Sequence, residues 1–178
     1  PSGVLDIAVE MGEARFGVEA VGGRPEAFGA GQTLRGPDGG TLAVHLVSMG
    51  NPHCVLFRRE LLGEDLMELG PALTVNPAFP AGVNLQLARV VGEGEVEILI
   101  WERGVGRTAA SGTSACAVAS ACVRSGRLAP GRIRVWMEGG SFFVTVSPEM
   151  RVRLEGPVDP VFRGTLADGF LERLDGGS

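Results

Sequence analysis

The residues best suited to chemistry lie close together in one stretch, which runs from Trp101 to Cys116 as WERGVGRTAASGTSAC. A carboxylate and a guanidinium stand side by side at Glu102 and Arg103, and a glycine-rich turn follows them. A run of small residues then begins at Ser111 and predicts a closely packed helix. The N-terminus of a helix offers unpaired N–H groups and a partial positive charge. This stretch therefore predicts a binding site for a carboxylate or a phosphate group.

Two strand ends carry further polar side chains whose role the pattern leaves open. Asn51 and His53 flank Pro52 directly after a predicted strand, and Asn84 stands at the start of another. Gly-Asn-Pro favours a turn, which is either a plain connection or a turn that aims an amide and an imidazole into a pocket. His53 is a general base, a helper to one, or a structural histidine with satisfied hydrogen bonds. The acid–base pair before the glycine turn is likewise either a solvated surface pair, worth little, or part of a site.

Apolar alternation and turn residues predict the elements that hold these side chains in place. The best helix covers residues 112–125 and ends at Gly126, which favours a left-handed cap. A second, amphipathic helix is predicted over residues 61–73, ending near Gly70 and Pro71. A long connection over residues 22–40 has one short strand at its start, and strands are predicted over residues 4–9, 14–21, 41–49, 54–57, 83–91, 95–101, 132–137, 141–147, 151–155 and 161–165.

Many strands joined by tight turns, with two helices, predict an α+β domain whose sheet is mainly antiparallel. The helix around residues 115–121 is small or apolar on nearly all sides. Such a helix belongs inside a domain, so we expect a curved sheet wrapped around it as a central helix. The length of 178 residues, without an internal repeat or a shift in composition, indicates a single domain over residues 1–178.

Composition and charge argue against several classes of protein. The net charge of −5, with no basic stripe, argues against nucleic acid as a partner. Three cysteines and two histidines are scattered, so we expect neither a metal site nor a disulfide scaffold. Without a long apolar run or a signal peptide, we expect a cytoplasmic protein with no membrane partner. The strand pattern that follows Pro1 directly is typical either of a chain that is complete after methionine removal or of the second part of a longer protein.

Taken in order, these motifs closely resemble those of the diaminopimelate epimerase family, within the wider group of cofactor-independent amino-acid racemases and isomerases. The resemblance covers nearly the whole chain. The matching segments are MGNPHCV at 49–55, GVN at 82–84, WERGVG at 101–106 and SGTSACA at 111–117, with VEMG at 9–12, GPV at 156–158 and VFRG at 161–164.

The resemblance implies a pyridoxal-independent epimerase that uses two opposed cysteines and no cofactor. Such an enzyme converts LL- to meso-diaminopimelate, a precursor of lysine and peptidoglycan. The family fold has two similar halves with the site in the cleft between them, and this chain resembles the C-terminal half. The family's residue roles, transferred to the matching positions, imply that the distal amino-acid end of the substrate is bound by Asn51, Asn84, Glu102 and Arg103. They imply that the reacting carboxylate is held by Gly112, Thr113 and Ser114. His53 and Glu102 would tune the catalytic groups.

Two departures from the family pattern bear on activity. The family's N-terminal half, with its cysteine, is absent, and Ser111 stands at the position of the remaining catalytic cysteine. A serine hydroxyl has a pKa far above the roughly 8.5 of a thiol, so it is a poor base. We therefore expect the isolated chain to be inactive and to need the missing N-terminal half or a homologous domain, with a homodimer as a further option. The alternatives are a catalytically inactive domain that binds an amino acid or assembles with a partner, another isomerase or racemase of the same fold, and a purely structural domain.

Overall fold

The computed structural model describes residues 5–162, 164–167 and 169–170. Two short 3-10 turns lie at Glu19–Val21 and Pro25–Ala27. The strands and helices are β1 (Leu5–Glu13), β2 (Arg15–Phe16), β3 (Thr33–Arg35), β4 (Thr41–Ala43), β5 (His45–Ser48), β6 (Pro52–Phe57), α1 (Gly63–Thr74), β7 (Asn84–Gly92), β8 (Glu95–Glu102), β9 (Gly106–Thr108), α2 (Gly112–Arg124), β10 (Gly131–Met137), β11 (Gly140–Val146) and β12 (Arg151–Val158).

One curved sheet contains all of these strands except β3 and β4, which pair with each other. The strand order is β1-β12-β11-β10-β8-β7-β6-β5-β2, and β9 pairs with β8. The two edge strands, β1 and β2, are separated along the chain only by Ala14, whose N–H donates to the Met150 carbonyl at 2.9 Å. Because one residue joins strands at opposite edges, the sheet curls until it is nearly closed.

Most neighbouring strands pair antiparallel, which confirms the predicted type of sheet. The parallel pairs are β6 with β7 and β8 with β10. Parallel neighbours need a crossover connection, and each helix supplies one. The chain passes through α1 between β6 and β7, and through α2 between β8 and β10.

The helix α2 packs against one face of the sheet and is buried almost throughout. Residues 114–123 are all buried, and the helix contacts β5–β8 and β10–β12. Small side chains on this helix let the strands approach closely, and Ile98, Ile133 and Val144 complete the cluster. Each such aliphatic side chain stabilises the fold by about 1.5–3 kcal/mol when fully buried. The helix is followed by Gly126 with φ of 69°, the predicted left-handed cap.

The helix α1 covers the opposite face of β7 and β8 and runs beyond its predicted end. Leu66, Leu69 and Leu73 are its core residues, and Pro71 lies inside the helix rather than after it. Proline removes one backbone hydrogen bond from a helix interior. Burial of Leu73 after the proline offsets that cost, and Gly70 lets the helix approach Trp101, because a Cβ there would lie 2.3 Å from the indole.

The other differences from the predicted elements concern short strands. The strand predicted over residues 14–21 is only β2 followed by a 3-10 turn, and the short strand in the connection lies near its end, as β3. Residues 41–49 form β4 and β5, which belong to different sheets, and β9 was not predicted. Of the last predicted strand, Arg163 lies outside the described residues, and 161–162 and 164–165 are not in a strand. Within the described ranges, no helix is long and apolar enough to span a membrane.

Candidate active site

A β-turn brings Glu102 next to Ser111. β8 ends at Glu102, the chain reverses through glycines with positive φ, and β9 pairs back along β8. The Ser111 hydroxyl donates to Glu102 Oε1 at 2.8 Å, and the Thr108 hydroxyl donates to Glu102 Oε2 at 3.2 Å. The carboxylate is therefore fixed by a hydroxyl on each oxygen, beside the start of α2.

The N-terminus of α2 keeps its first N–H groups available. Ser111 is the N-cap residue with an extended backbone, but its side chain makes no capping hydrogen bond and donates to Glu102. A serine at this position ordinarily accepts a hydrogen bond from the second or third N–H of the helix. Gly112 and Thr113 thus present donors and the positive end of the helix dipole next to Ser111, an arrangement that suits an anion.

Asn51 links the turn before β6 to this helix start. Its Nδ2 donates to Thr113 Oγ1 at 3.4 Å, and its Oδ1 lies 2.9 Å from His53 Nε2. With the amide nitrogen directed at Thr113, the amide oxygen accepts a hydrogen bond from His53, so the neutral imidazole carries its proton on Nε2. The turn has a positional role, because it places a polar side chain against the first turn of α2.

His53 is fully buried at the start of β6. Burial is the main reason that the pKa of His53 falls to about 4; a hydrogen bond with Gln86 opposes this shift and the charge of Arg103 adds to it. The imidazole is consequently neutral at pH 7. A buried neutral imidazole that donates to Asn51 holds the amide in one orientation.

Gln86 is a buried polar residue that the sequence motifs did not single out. Its Nε2 donates to the Ser114 hydroxyl at 3.1 Å, while Gln86 Oε1 and His53 Nδ1, both acceptors, have no partner. In the opposite amide orientation, Nε2 donates to His53 Nδ1 and Oε1 accepts from Ser114, so every group is satisfied. Because a buried unpaired polar group costs about 1–3 kcal/mol, we infer this second orientation.

Asn84 ties three strands together at the same end of the sheet. Its Nδ2 donates to the Pro52 carbonyl at 3.0 Å, and its Oδ1 accepts the Arg103 N–H at 2.9 Å. The Arg103 side chain is exposed and donates from Nη1 to the Ala81 carbonyl at 2.5 Å. Asn84 is therefore buried and engaged within the protein, whereas Arg103 reaches the surface at the rim of the site.

The structure brings all the predicted site residues to one end of the sheet, but their side chains differ in how far they are exposed. Glu102, Ser111, Thr113 and Asn51 are partly exposed, whereas the side chain of Ser114 is fully buried and hydrogen-bonded to Gln86. Sequence reasoning missed Thr108 and Gln86. Period-two alternation on one strand face connects Gln86 with Asn84 and could have found it.

The three cysteines take no part in this arrangement. Cys54, Cys116 and Cys122 are buried and unpaired, and burial raises the pKa of each thiol to about 12. Thiols with so high a pKa stay protonated and unreactive near neutral pH. Cys116 consequently does not replace the base expected at position 111.

Solved structures that share this fold include a racemase and an epimerase. The chain superposes on a probable proline racemase from Agrobacterium radiobacter K84 with a TM-score of 0.59 and 16% identity, covering 93% of this chain and 54% of that one. A hydroxyproline epimerase from Agrobacterium vitis gives a TM-score of 0.59 and 15% identity, over 89% of this chain and 52% of that one. At such identities the likeness establishes the fold alone, a nearly closed, mainly antiparallel sheet with two helices, which this chain shares with both proteins.

Comparison with sequence relatives identifies the family of the chain. The profile of the family described as diaminopimelate epimerase matches residues 45–159, so the chain belongs to that family. The diaminopimelate epimerase of Desulforudis audaxviator is 42% identical over 154 residues, which are 80% of this chain and 55% of the relative. That of a Psychrobacter species is 34% identical over 169 residues, 93% of this chain and 58% of the relative. The chain thus spans little more than half the length of these relatives.

Proposed function

We propose that the chain is the C-terminal half of a pyridoxal-independent diaminopimelate epimerase. The observation that carries this proposal is the pairing of Glu102 with Ser111 at the N-terminus of α2. Family membership supports the substrate class, and the coverage of about half of each relative supports a missing second half. The chain forms one domain in which the sheet wraps around α2 as a central helix, so that the start of α2 faces the cleft between the halves.

The substrate carboxylate is held by the first N–H groups of α2, at Gly112, Thr113 and Ser114. When the α-proton leaves, negative charge develops on this carboxylate, and fixed donors at the helix start stabilise it. Ser114 contributes through its backbone, since its side chain is buried. Glu102 and Arg103, at the rim, bind the distal amino and carboxylate groups, and Asn51 and Asn84 shape this part of the pocket.

His53 is a positioning residue in this proposal rather than a base. It is buried, neutral and bonded to Asn51, which in turn contacts Thr113. The resulting series of contacts runs from Ser114 through Gln86, His53 and Asn51 to Thr113. It fixes the side chains around the first turn of α2, and its loss changes the orientation of Asn51.

Ser111 limits what this half does alone. Its proton is directed to Glu102, and a carboxylate is too weak a base to generate an alkoxide from a serine. Removal and return of the α-proton on opposite faces therefore require a base from a second half and a stronger base than serine at position 111. The isolated chain is consequently inactive, and its partners are the amino-acid substrate and that half, supplied by the same gene, another chain or a second copy in a homodimer. We place the protein in the cytoplasm, since its buried thiols are unpaired.

The test supplies the missing half and measures α-proton exchange. The N-terminal half of the Desulforudis audaxviator enzyme is co-expressed with this chain, and deuterium incorporation at the diaminopimelate α-carbon is followed by NMR. We expect no exchange with the chain alone and exchange when the half is combined with Ser111→Cys. Ser111→Ala, combined with the same half, is the matched control and lacks two-face exchange.

The serine at position 111, where the family has a cysteine, favours one alternative: a domain that binds an amino acid without turnover. That alternative predicts saturable binding of diaminopimelate in calorimetry and no exchange in any combination, including Ser111→Cys. Exchange of a proline-type substrate instead of diaminopimelate would identify another isomerase of the same fold.

A further inference from the structure

A groove at the opposite end of the sheet from the candidate active site is lined mainly by arginines. Its guanidinium groups come from Arg58, Arg59, Arg89 and Arg127, beside the ring of Phe57. The groove has a volume of about 770 Å³, within the range of roughly 300–1,000 Å³ of small-molecule sites. β6 and β7 run toward it from the active-site end, and the α2 helix between the two ends is about 20 Å long.

The positive charge in this groove is largely uncompensated. Glu97 pairs with Arg89 at 2.7 Å. In the part of the chain that the structure describes, no carboxylate forms an ion pair with Arg58, Arg59 or Arg127, not even the adjacent Glu60. Three guanidinium charges are therefore in excess in a chain whose net charge is −5. So concentrated a patch attracts anions from solution.

Two buried donors in the groove lack acceptors. Arg58 Nε and Arg89 Nε are buried and have no hydrogen-bond partner among the described residues. An unpaired buried donor is unfavourable, so an acceptor supplied by a ligand would stabilise both. Arg127 lies with its guanidinium carbon 4.1 Å from the Phe57 ring centroid, which holds its charge at the groove. Cation–π contact of this kind restricts the side chain without neutralising it.

We propose that this groove binds a small ligand that carries a diphosphate or triphosphate group. The guanidinium groups come from three places, the end of β6, the strand β7 and the loop after α2, so they approach from different directions. Tetrahedral phosphate oxygens accept hydrogen bonds from several directions, whereas a planar carboxylate matches one guanidinium fork. The site does not depend on the proposed epimerase function, because a second half that covers the start of α2 leaves this end of the sheet exposed.

Calorimetry with defined anions tests the proposal on the whole chain. Inorganic triphosphate, ATP and citrate are titrated at about 150 mM salt, where exposed charges are screened beyond about 8 Å. We expect saturable one-site binding of triphosphate and ATP, with citrate bound at least tenfold more weakly. Tighter binding of ATP than of triphosphate identifies a nucleotide ligand, and equal affinity identifies the phosphate chain itself. Equal affinity for citrate, or no saturable binding of either phosphate compound, overturns the proposal.

A charge-matched pair of double variants locates the site. Arg58→Gln with Arg127→Gln removes two groove charges, whereas Arg15→Gln with Arg35→Gln removes two exposed arginine charges elsewhere. Loss of a charged hydrogen bond of about 1.5 kcal/mol weakens binding roughly tenfold per arginine. We therefore expect about a hundredfold weaker binding in the groove variant and less than a threefold change in the control. Equal losses in both would mean attraction by overall charge and would contradict a site in the groove. Circular dichroism of both variants establishes that each is folded.

Discussion

The two ends of α2 contrast in how they treat polar side chains. At the N-terminal end, the side chains of Glu102, Asn84 and Asn51 have both polar atoms hydrogen-bonded within the protein. Beyond the C-terminal end, Arg58 has no side-chain partner among the described residues. The first end is preorganised, with backbone N–H groups left to bind a ligand; the second presents side-chain charge whose acceptor must come from outside. One helix therefore separates a proposed site built from backbone N–H groups from a proposed site built from arginine side chains.

The largest expected effect is a difference in thiol reactivity between the start of α2 and the interior of the protein. Ser111→Cys places a thiol on a partly exposed helix start, where the helix dipole favours the thiolate, whereas the native thiols have a pKa of about 12. With an ordinary thiol pKa near 8.5, the thiolate fraction at position 111 is on the order of three thousandfold higher. We expect one thiol that reacts rapidly with a chromogenic disulfide reagent in the variant, and none in the native fold. A rapid native thiol would contradict the buried assignment.

The next effect concerns stability at the preorganised end. Asn84→Ala removes the acceptor of the Arg103 N–H and the donor to the Pro52 carbonyl. Leaving two partly buried groups unpaired is expected to lower the free energy of unfolding by about 2 kcal/mol. Urea denaturation measures the loss, and Asn76→Ala, which loses a single local hydrogen bond to Ala78, is the milder control. Equal losses in the two variants would refute a special structural role for Asn84.

The dependence of stability on pH reports the burial of His53. Its pKa is about 4 in the folded protein and 6.5 without burial, so between these values the unfolded chain binds more protons and stability falls as the pH falls. The expected loss between pH 7 and pH 4.5 is about 2 kcal/mol from this group. His53→Gln should reduce the slope measured by urea denaturation. The variant keeps the contributions of His45, Glu138 and Glu149 to the pH dependence. Their pKa values are also lowered, so they too make stability fall as the pH falls. An unchanged slope would mean that His53 is not buried as a neutral group.

The smallest effect is expected in the arginine groove. Arg58→Gln removes a charge that has no ion-pair partner among the described residues and a buried Nε without an acceptor. The free energy of unfolding should therefore change by less than about 0.5 kcal/mol, or rise slightly. Arg89→Gln, which breaks the ion pair with Glu97, is the internal comparison and should be slightly less stable than Arg58→Gln. A loss above about 2 kcal/mol for Arg58→Gln would show that the guanidinium is structural.

Local sequence patterns predicted the long elements and the site motifs, but not the contacts that satisfy them. Period-two alternation found β7, β8 and β10–β12, and the small-residue run with Gly126 found α2. The patterns failed where tertiary packing determines the bounds of an element. The helix α1 continues through Pro71 because Leu73 is buried, and residues 41–49 divide between two sheets. The hydrogen bond between Gln86 and Ser114 joins residues 28 positions apart, and local alternation contains no information about such a pair.

In the proposed function, the first turn of α2 binds the carboxylate of an amino acid. A titration of the ¹⁵N-labelled chain with meso-diaminopimelate, followed by two-dimensional NMR, tests it at residue level. We predict saturable shifts of the Gly112 and Thr113 amides, with little change at Arg58 and Arg127, and loss of the Gly112 and Thr113 shifts when the ligand carboxylates are amidated. Shifts that are absent from Gly112 and Thr113, or that persist with the amidated ligand, would contradict the account.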